Sequence, residues 1–280
     1  MAHSSTDYLA LYDAAAEADK YPLVQKWMKA EPLSFFAQLR KERPVLVTPE
    51  CTLVALFEDI RDILQMPKIF TVNLYKPKMG AVDNQDGYLM AYDDDALHYR
   101  EKSLMQGFLN RDDLPHVRAL IRKSADKILD DADGNIEIVN NYCRMVPAIM
   151  VQEYFGLDGI DKSLLINWSF WNQYDVFHNQ PFDLNSKEEY QHIVDEHDRV
   201  SLELVAYIGS LIVRKLTLVK IENYSKWLRL ACKFLRILFY RLLGNEQPPP
   251  KYNIVKRMLR TKFASEVDFD IKRVGINAGG

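Results

Sequence analysis

A mainly α fold with a minor β element is what this sequence predicts, on three observations. Apolar residues recur at helical spacing through most of the chain. Helix start and stop signals punctuate the periodic segments, with proline at Pro32 and Pro67 and glycine at Gly134 and Gly156. Paired β-prone runs fall in one short stretch, residues 44–56. Together these favour layered helices around a core with a single hairpin attached.

The elements follow in order. Residues 1–20 are polar and acidic, and are expected to form an N-terminal tail. Pro32 to Arg40 has proline at a helix start and apolar residues at helical spacing. Pro44–Val47 and Thr52–Leu56 are two β-prone runs around Thr48-Pro-Glu-Cys51, a turn composition, and predict a hairpin. Glu58 to Met66 returns to helix with Ile60, Ile63 and Leu64 on one side, and Pro67 ends it. Residues 68–92 lack periodicity and predict a long loop, a length more often functional than idle.

The stretch Asp93 to Phe108, DDDALHYREKSLMQGF, is the most informative. Asp95 suits an N-cap, and its acidic neighbours favour the positive end of the helix dipole. His98 and Lys102 are one turn apart and share a face, so both can donate to one anion, such as the carboxylate pair of a porphyrin. A second helix is expected from about Leu114 to Asp131, with Val117, Leu120, Ile121, Ala125, Ile128 and Leu129 inward. A third spans Ile138 to Phe155 and stops at Gly156. Further helices are expected over Asp161–Phe177 and from Glu188 to about Lys215. Residues 268–280 begin as a buried helix and end without a cap, which suggests truncation.

Composition narrows the function classes. The hydrophobic share is 48% and the charged share 27%, as in a soluble globular chain. A net charge of −3 offers no general attraction to nucleic acid. No glycine-rich phosphate-cradling motif and no G-x-S-x-G elbow occurs. Cys51, Cys143 and Cys232 are distant and odd in number, so a disulfide framework or zinc knuckle is not expected. All three read as small buried or half-buried hydrophobes. His192 and His197 are five residues apart, which turns them to different sides of a helix and disfavours a metal site. The start of the chain lacks the pattern of a secretory leader, and the apolar run Leu204–Val213 is too short to cross a bilayer, so a cytoplasmic location is expected.

Lys226 to Leu243 departs from the rest: 13 apolar and five basic residues with no acid. Lys226, Arg229, Lys233 and Arg236 line one helical stripe. Such a helix can lie in an interface with anionic lipid, or pack on the protein with its basic stripe in water.

The order of these segments resembles the N-terminal part of the cytochrome P-450 family, the heme-thiolate monooxygenases. PVLVTPECTLVALF resembles the family's first hairpin, and FEDIRDILQMPKIF its following helix. DDDALHYREKSLMQGFL resembles the helix whose family form is D-P-P-x-H-x-R-x-R. IRKSADKILDDADGNIEIVNNYCRMVPAIMVQEYFGLDGID is similar to the next two helices, and LELVAYIGSLIVRK to a later arginine-ended one.

The resemblance implies one incomplete domain over residues 1–280, broken off within the central helix, with residues 216–251 an inserted cationic helix and proline-rich linker. It implies heme as cofactor, with His98 and Lys102 at the positions that bind its propionates. Lysine keeps the charge of the family arginine but loses the bidentate fork. Trp171, Tyr174 and Phe177 fall in the region that lines the substrate pocket, although their spacing also fits core packing. The full-length parent would insert oxygen into a small apolar substrate with electrons from a redox partner. No cysteine here has the family's Phe-Gly loop setting, so no catalytic residue and no metal ligand is expected in this chain, which would be inactive alone. The alternative reading is a non-catalytic helical protein that binds anionic membrane peripherally through 226–243.

Overall fold

The computed structural model describes residues 6–79, 87–224, 234–235, 252–261 and 271–279. The chain is mainly helical with one two-stranded sheet, and its cores form around two clusters of buried side chains.

The first cluster is built by α1 (Tyr8–Ala14), α2 (Glu17–Ala30) and α3 (Pro32–Glu42). Asp7 caps α1 by accepting the Ala10 N–H at 3.0 Å, and Pro32 opens α3. Tyr8, Trp27 and Phe35 meet edge-on or tilted, with ring centroids 5.4–5.7 Å apart. The expected polar tail over residues 1–20 is therefore corrected. Tyr8, Leu9 and Tyr12 lie on one helical face, and that face is buried.

The hairpin forms where expected. β1 (Val45–Val47) and β2 (Thr52–Val54) pair antiparallel in the register Val45↔Val54, Leu46↔Leu53 and Val47↔Thr52. Leu46 is the residue that points into the first core. Thr48 closes the turn: its hydroxyl accepts the Cys51 N–H at 3.0 Å and donates to the Cys51 carbonyl at 2.6 Å. In α4 (Phe57–Leu64) the apolar side found in the sequence is not a core face, because no residue of this helix is buried.

The second cluster gathers α5 (Ala96–Phe108), α6 (Leu114–Asp131), α7 (Met145–Met150), α8 (Lys162–His178), α9 (Lys187–Tyr224), α10 (Ile254–Thr261) and α11 (Ile271–Gly279). The helix expected over 138–155 is continuous but widened. Turns of π geometry at Val139–Cys143 and Val151–Phe155 flank α7, one on each side of Pro147. Gly156 stops it at φ +93°. Asn253 lies against the same glycine and caps α10 through the Lys256 N–H at 3.0 Å, so two elements close on one residue that tolerates no Cβ.

Three further expectations need correction. On α6, Ile121 and Leu129 are exposed rather than inward, while Val117, Leu120, Ala125 and Ile128 are half-buried. Cys143 is exposed, whereas Cys51 is half-buried as expected. The helix expected to end near Lys215 runs on to Tyr224 within α9, with Val219 fully covered. Apart from Phe234 and Leu235, the cationic stretch 226–243 lies outside the described residues, as does Cys232.

Candidate functional site

The three acids at the start of α5 do three different things. Asp93 gathers the long loop by accepting the Val72 N–H at 2.7 Å, with Lys76 at 3.5 Å. Asp95 caps the helix by accepting the His98 N–H at 2.8 Å. Asp94 stands 3.8 Å from His98 Nε2.

His98 is buried, with 8% of its surface exposed. Its Nδ1 lies 2.9 Å from the Leu89 carbonyl oxygen, which can only accept, so Nδ1 carries the proton. Nε2 is the remaining ring nitrogen, on the side of the Asp94 carboxylate. Lys102, one turn on, is exposed. The structure thus keeps the two residues on one helix face but in different environments, a fixed imidazole and a free-swinging ammonium. Arg100 is exposed, two residues round the helix from His98.

Beside this pair lies a buried polar cluster that no local pattern announced. Glu101 is fully covered and takes both Nε and Nη2 of Arg273 from α11. Arg273 also donates through Nη1 to the Gly87 carbonyl at 2.8 Å. Asn277, one turn along α11, donates to Glu101 at 3.0 Å and accepts the Leu89 N–H at 3.1 Å. Burial works against the Arg273 charge, but the Glu101 carboxylate outweighs it and raises the guanidinium pKa. The Tyr92 ring lies 5.8 Å from the guanidinium. Its hydroxyl is buried without a hydrogen-bond partner among the described residues, and burial raises its pKa against the nearby cation. At the far end of α5, Arg257 of α10 donates to the Phe108 carbonyl and pairs with Asp113, each at 2.6 Å.

The aromatic residues of α8 separate. Trp171 packs edge-on against His192 of α9 at 5.5 Å and borders the second core. Tyr174 stacks on Phe170, while Phe177 is half exposed and meets Tyr75 of the long loop at 6.0 Å. Trp171 and Tyr174 are neighbours, 6.2 Å apart, and Phe177 faces the loop instead. Between loop and helix, Lys78 is a latch: its ammonium binds Asp175 Oδ1 at 2.8 Å and the carbonyls of Asp175 and Asn179 at 3.0 and 2.7 Å. His197 contacts Asp198 and Ser201, away from His192, and no group of metal-ligating side chains is found among the described residues.

Tested against a heme, this donor set divides. The one-turn spacing of His98 and Lys102 and the exposed Lys102 ammonium are compatible with its carboxylate edge. For an axial thiolate nothing fits among the described residues: Cys51 is packed at the hairpin against the first core, and Cys143 is exposed on the helix before α7.

A mainly helical chain with one hairpin, whose long loop leads into the capped helix α5, has the architecture of a cytochrome P450 fold. The chain is similar to cytochrome P450 119 of Sulfurisphaera tokodaii, 26% identical over 144 residues that cover 48% of this chain and 38% of the relative. Its fold is similar to that of full-length CYP116B46 from Tepidiphilus thermophilus, with a TM-score of 0.55 at 15% identity, covering 91% of this chain and 30% of the other. No protein-family profile matches the chain. It spans less than two-fifths of the length of these two proteins. The two comparisons support a relationship to the cytochromes P450, and the structural one bears on the fold. No described helix is long and apolar enough to cross a membrane.

Proposed function

We propose that this chain is part of a heme-dependent monooxygenase of the P-450 type, whose complete form inserts oxygen into a small apolar substrate with electrons from a redox partner. The observation that carries the reading is His98, buried on an N-capped helix with Nδ1 anchored and Lys102 one turn away, in a fold similar to a cytochrome P450. Bound heme would supply the oxygen chemistry. The residues of this chain would hold its carboxylates: His98 through Nε2, which must itself be protonated to donate, and Lys102 as a point charge. Trp171, Tyr174 and Phe177 would border the substrate, with the loop at Tyr75 forming the opposite wall. By itself the chain offers no thiolate in the family setting and is inactive.

Hemin titration of the purified 280-residue chain tests this. Binding is expected, without the thiolate spectrum in the reduced, carbon monoxide-treated sample. His98→Ala, which removes a hydrogen bond to a charged group, is expected to weaken binding about tenfold or more. Lys102→Ala acts at an exposed site and should cost about two- to fivefold. A thiolate-type spectrum, or binding indifferent to both substitutions, overturns the proposal. A second reading, a helical protein docked on anionic membrane, rests on the acid-free basic stripe within 226–243.

A further inference from the structure

We infer that Glu101, Arg273 and Asn277 are positioning residues that set the imidazole of His98. The inference rests on the reading of His98 as an anion-facing group and deepens it.

The argument is one of connectivity. His98 and the Leu89 carbonyl that fixes its Nδ1 belong to different segments, α5 and the short 3-10 turn Leu89–Ala91 before it. Both are tied to the same short helix, α11. His98 is referred to α11 through Glu101, three residues further along α5, which binds Arg273 and Asn277. Leu89 is referred to α11 through its own N–H, held by Asn277 Oδ1 at 3.1 Å, and through Gly87, whose carbonyl takes Arg273 Nη1 at 2.8 Å. Arg273 and Asn277 sit one turn apart, so one face of α11 sets the separation between the imidazole and its acceptor.

A merely stapling ion pair would need only Glu101 and Arg273. Here both α11 residues also grip backbone groups within two residues of the carbonyl that receives the imidazole proton. The consequence is chemical. With Nδ1–H committed to the Leu89 carbonyl, Nε2 is the ring atom left to meet an anion, as a donor once it too carries a proton, and its direction is fixed by buried contacts instead of by solvent.

The test is made on the full chain labelled with ¹⁵N, without hemin, by reading the His98 ring nitrogens in long-range proton–nitrogen spectra. Wild type is expected to show the Nδ1-protonated form. Asn277→Ala leaves the Glu101–Arg273 pair in place but frees the Leu89 peptide, so His98 should interconvert between both tautomers. Hemin affinity should then fall about two- to tenfold, the cost of one hydrogen bond. A folded Asn277→Ala chain whose ring nitrogens are unchanged overturns the inference, whatever its unfolding midpoint. If that variant does not fold, Arg273→Lys, which keeps the buried charge but loses the reach to Gly87, is read in the same way and with the same expectation. Failure of wild type to bind hemin would remove the anion-facing reading while leaving the tautomer measurement to decide whether the ring is set from α11.

Discussion

Replacing Glu101 with leucine leaves the Arg273 guanidinium buried and without its carboxylate. Glu101 is fully covered and the Arg273 side chain is 9% exposed, so water replaces little of the lost interaction. Removing one member of such a pair costs about 3–5 kcal/mol. The double substitution Glu101→Leu with Arg273→Met removes both charges and fills the space with apolar groups of similar size, which by itself is about neutral. It still strips the Gly87 carbonyl of its donor, worth about 1–3 kcal/mol when left unpaired. Asn277 Nδ2 loses Glu101 but keeps the Arg273 carbonyl at 3.0 Å, because that contact is backbone. The single variant should therefore be less stable than the double, despite carrying fewer changes. Urea unfolding followed by far-ultraviolet circular dichroism measures this, and the coupling between the two positions comes from the complete cycle with Arg273→Met alone. A double variant at least as unstable as either single would refute the reasoning, since it would mean that the charges are not what the packing depends on.

Two further outcomes are expected. Tyr207, whose pKa is pushed up to about 12 by burial and by the Asp158 charge against the opposing Arg214, ionises later when folded than its usual value near 10. Its contribution is complete below pH 10 and is lost as pH rises toward 12, so Tyr207→Phe should flatten the decline of the thermal midpoint in that window; an unchanged slope removes the assignment. Sedimentation with anionic but not neutral vesicles, abolished by Arg229→Glu with Arg236→Glu, is expected if the membrane reading holds, and indifference to lipid charge eliminates it.

What was legible in the sequence was local. The 114–131 helix, the hairpin at 45–54, the Asp95 cap and the stop at Gly156 each have a signal within a few residues, and each appears where expected. Helix α1 carried a signal too, Asp7 followed by Tyr8, Leu9 and Tyr12, but polar flanking residues obscured it. The Glu101–Arg273 pair has no local signature, because its partners are 172 residues apart and each alone looks like an ordinary helical charge. The exposure of Ile121 and Leu129 shows the converse: periodicity identifies an apolar face but does not say what, if anything, lies against it. Of the candidate site, His98 and Lys102 were readable from spacing, while the differing surroundings that give them unequal freedom were not.

The Lys78 latch bears on how firmly the loop is held to the helices. Its three oxygen partners sit where α8 ends, and Tyr190, at the start of α9, offers its ring to the same ammonium at 5.3 Å. A single lysine, in the 3-10 turn Lys76–Met79, thus moors the loop to the corner where two long rods reverse direction. Lifting the loop off the end of α8 would strip that ammonium of the three oxygens it holds there, so the attachment at this corner hangs largely on one side chain.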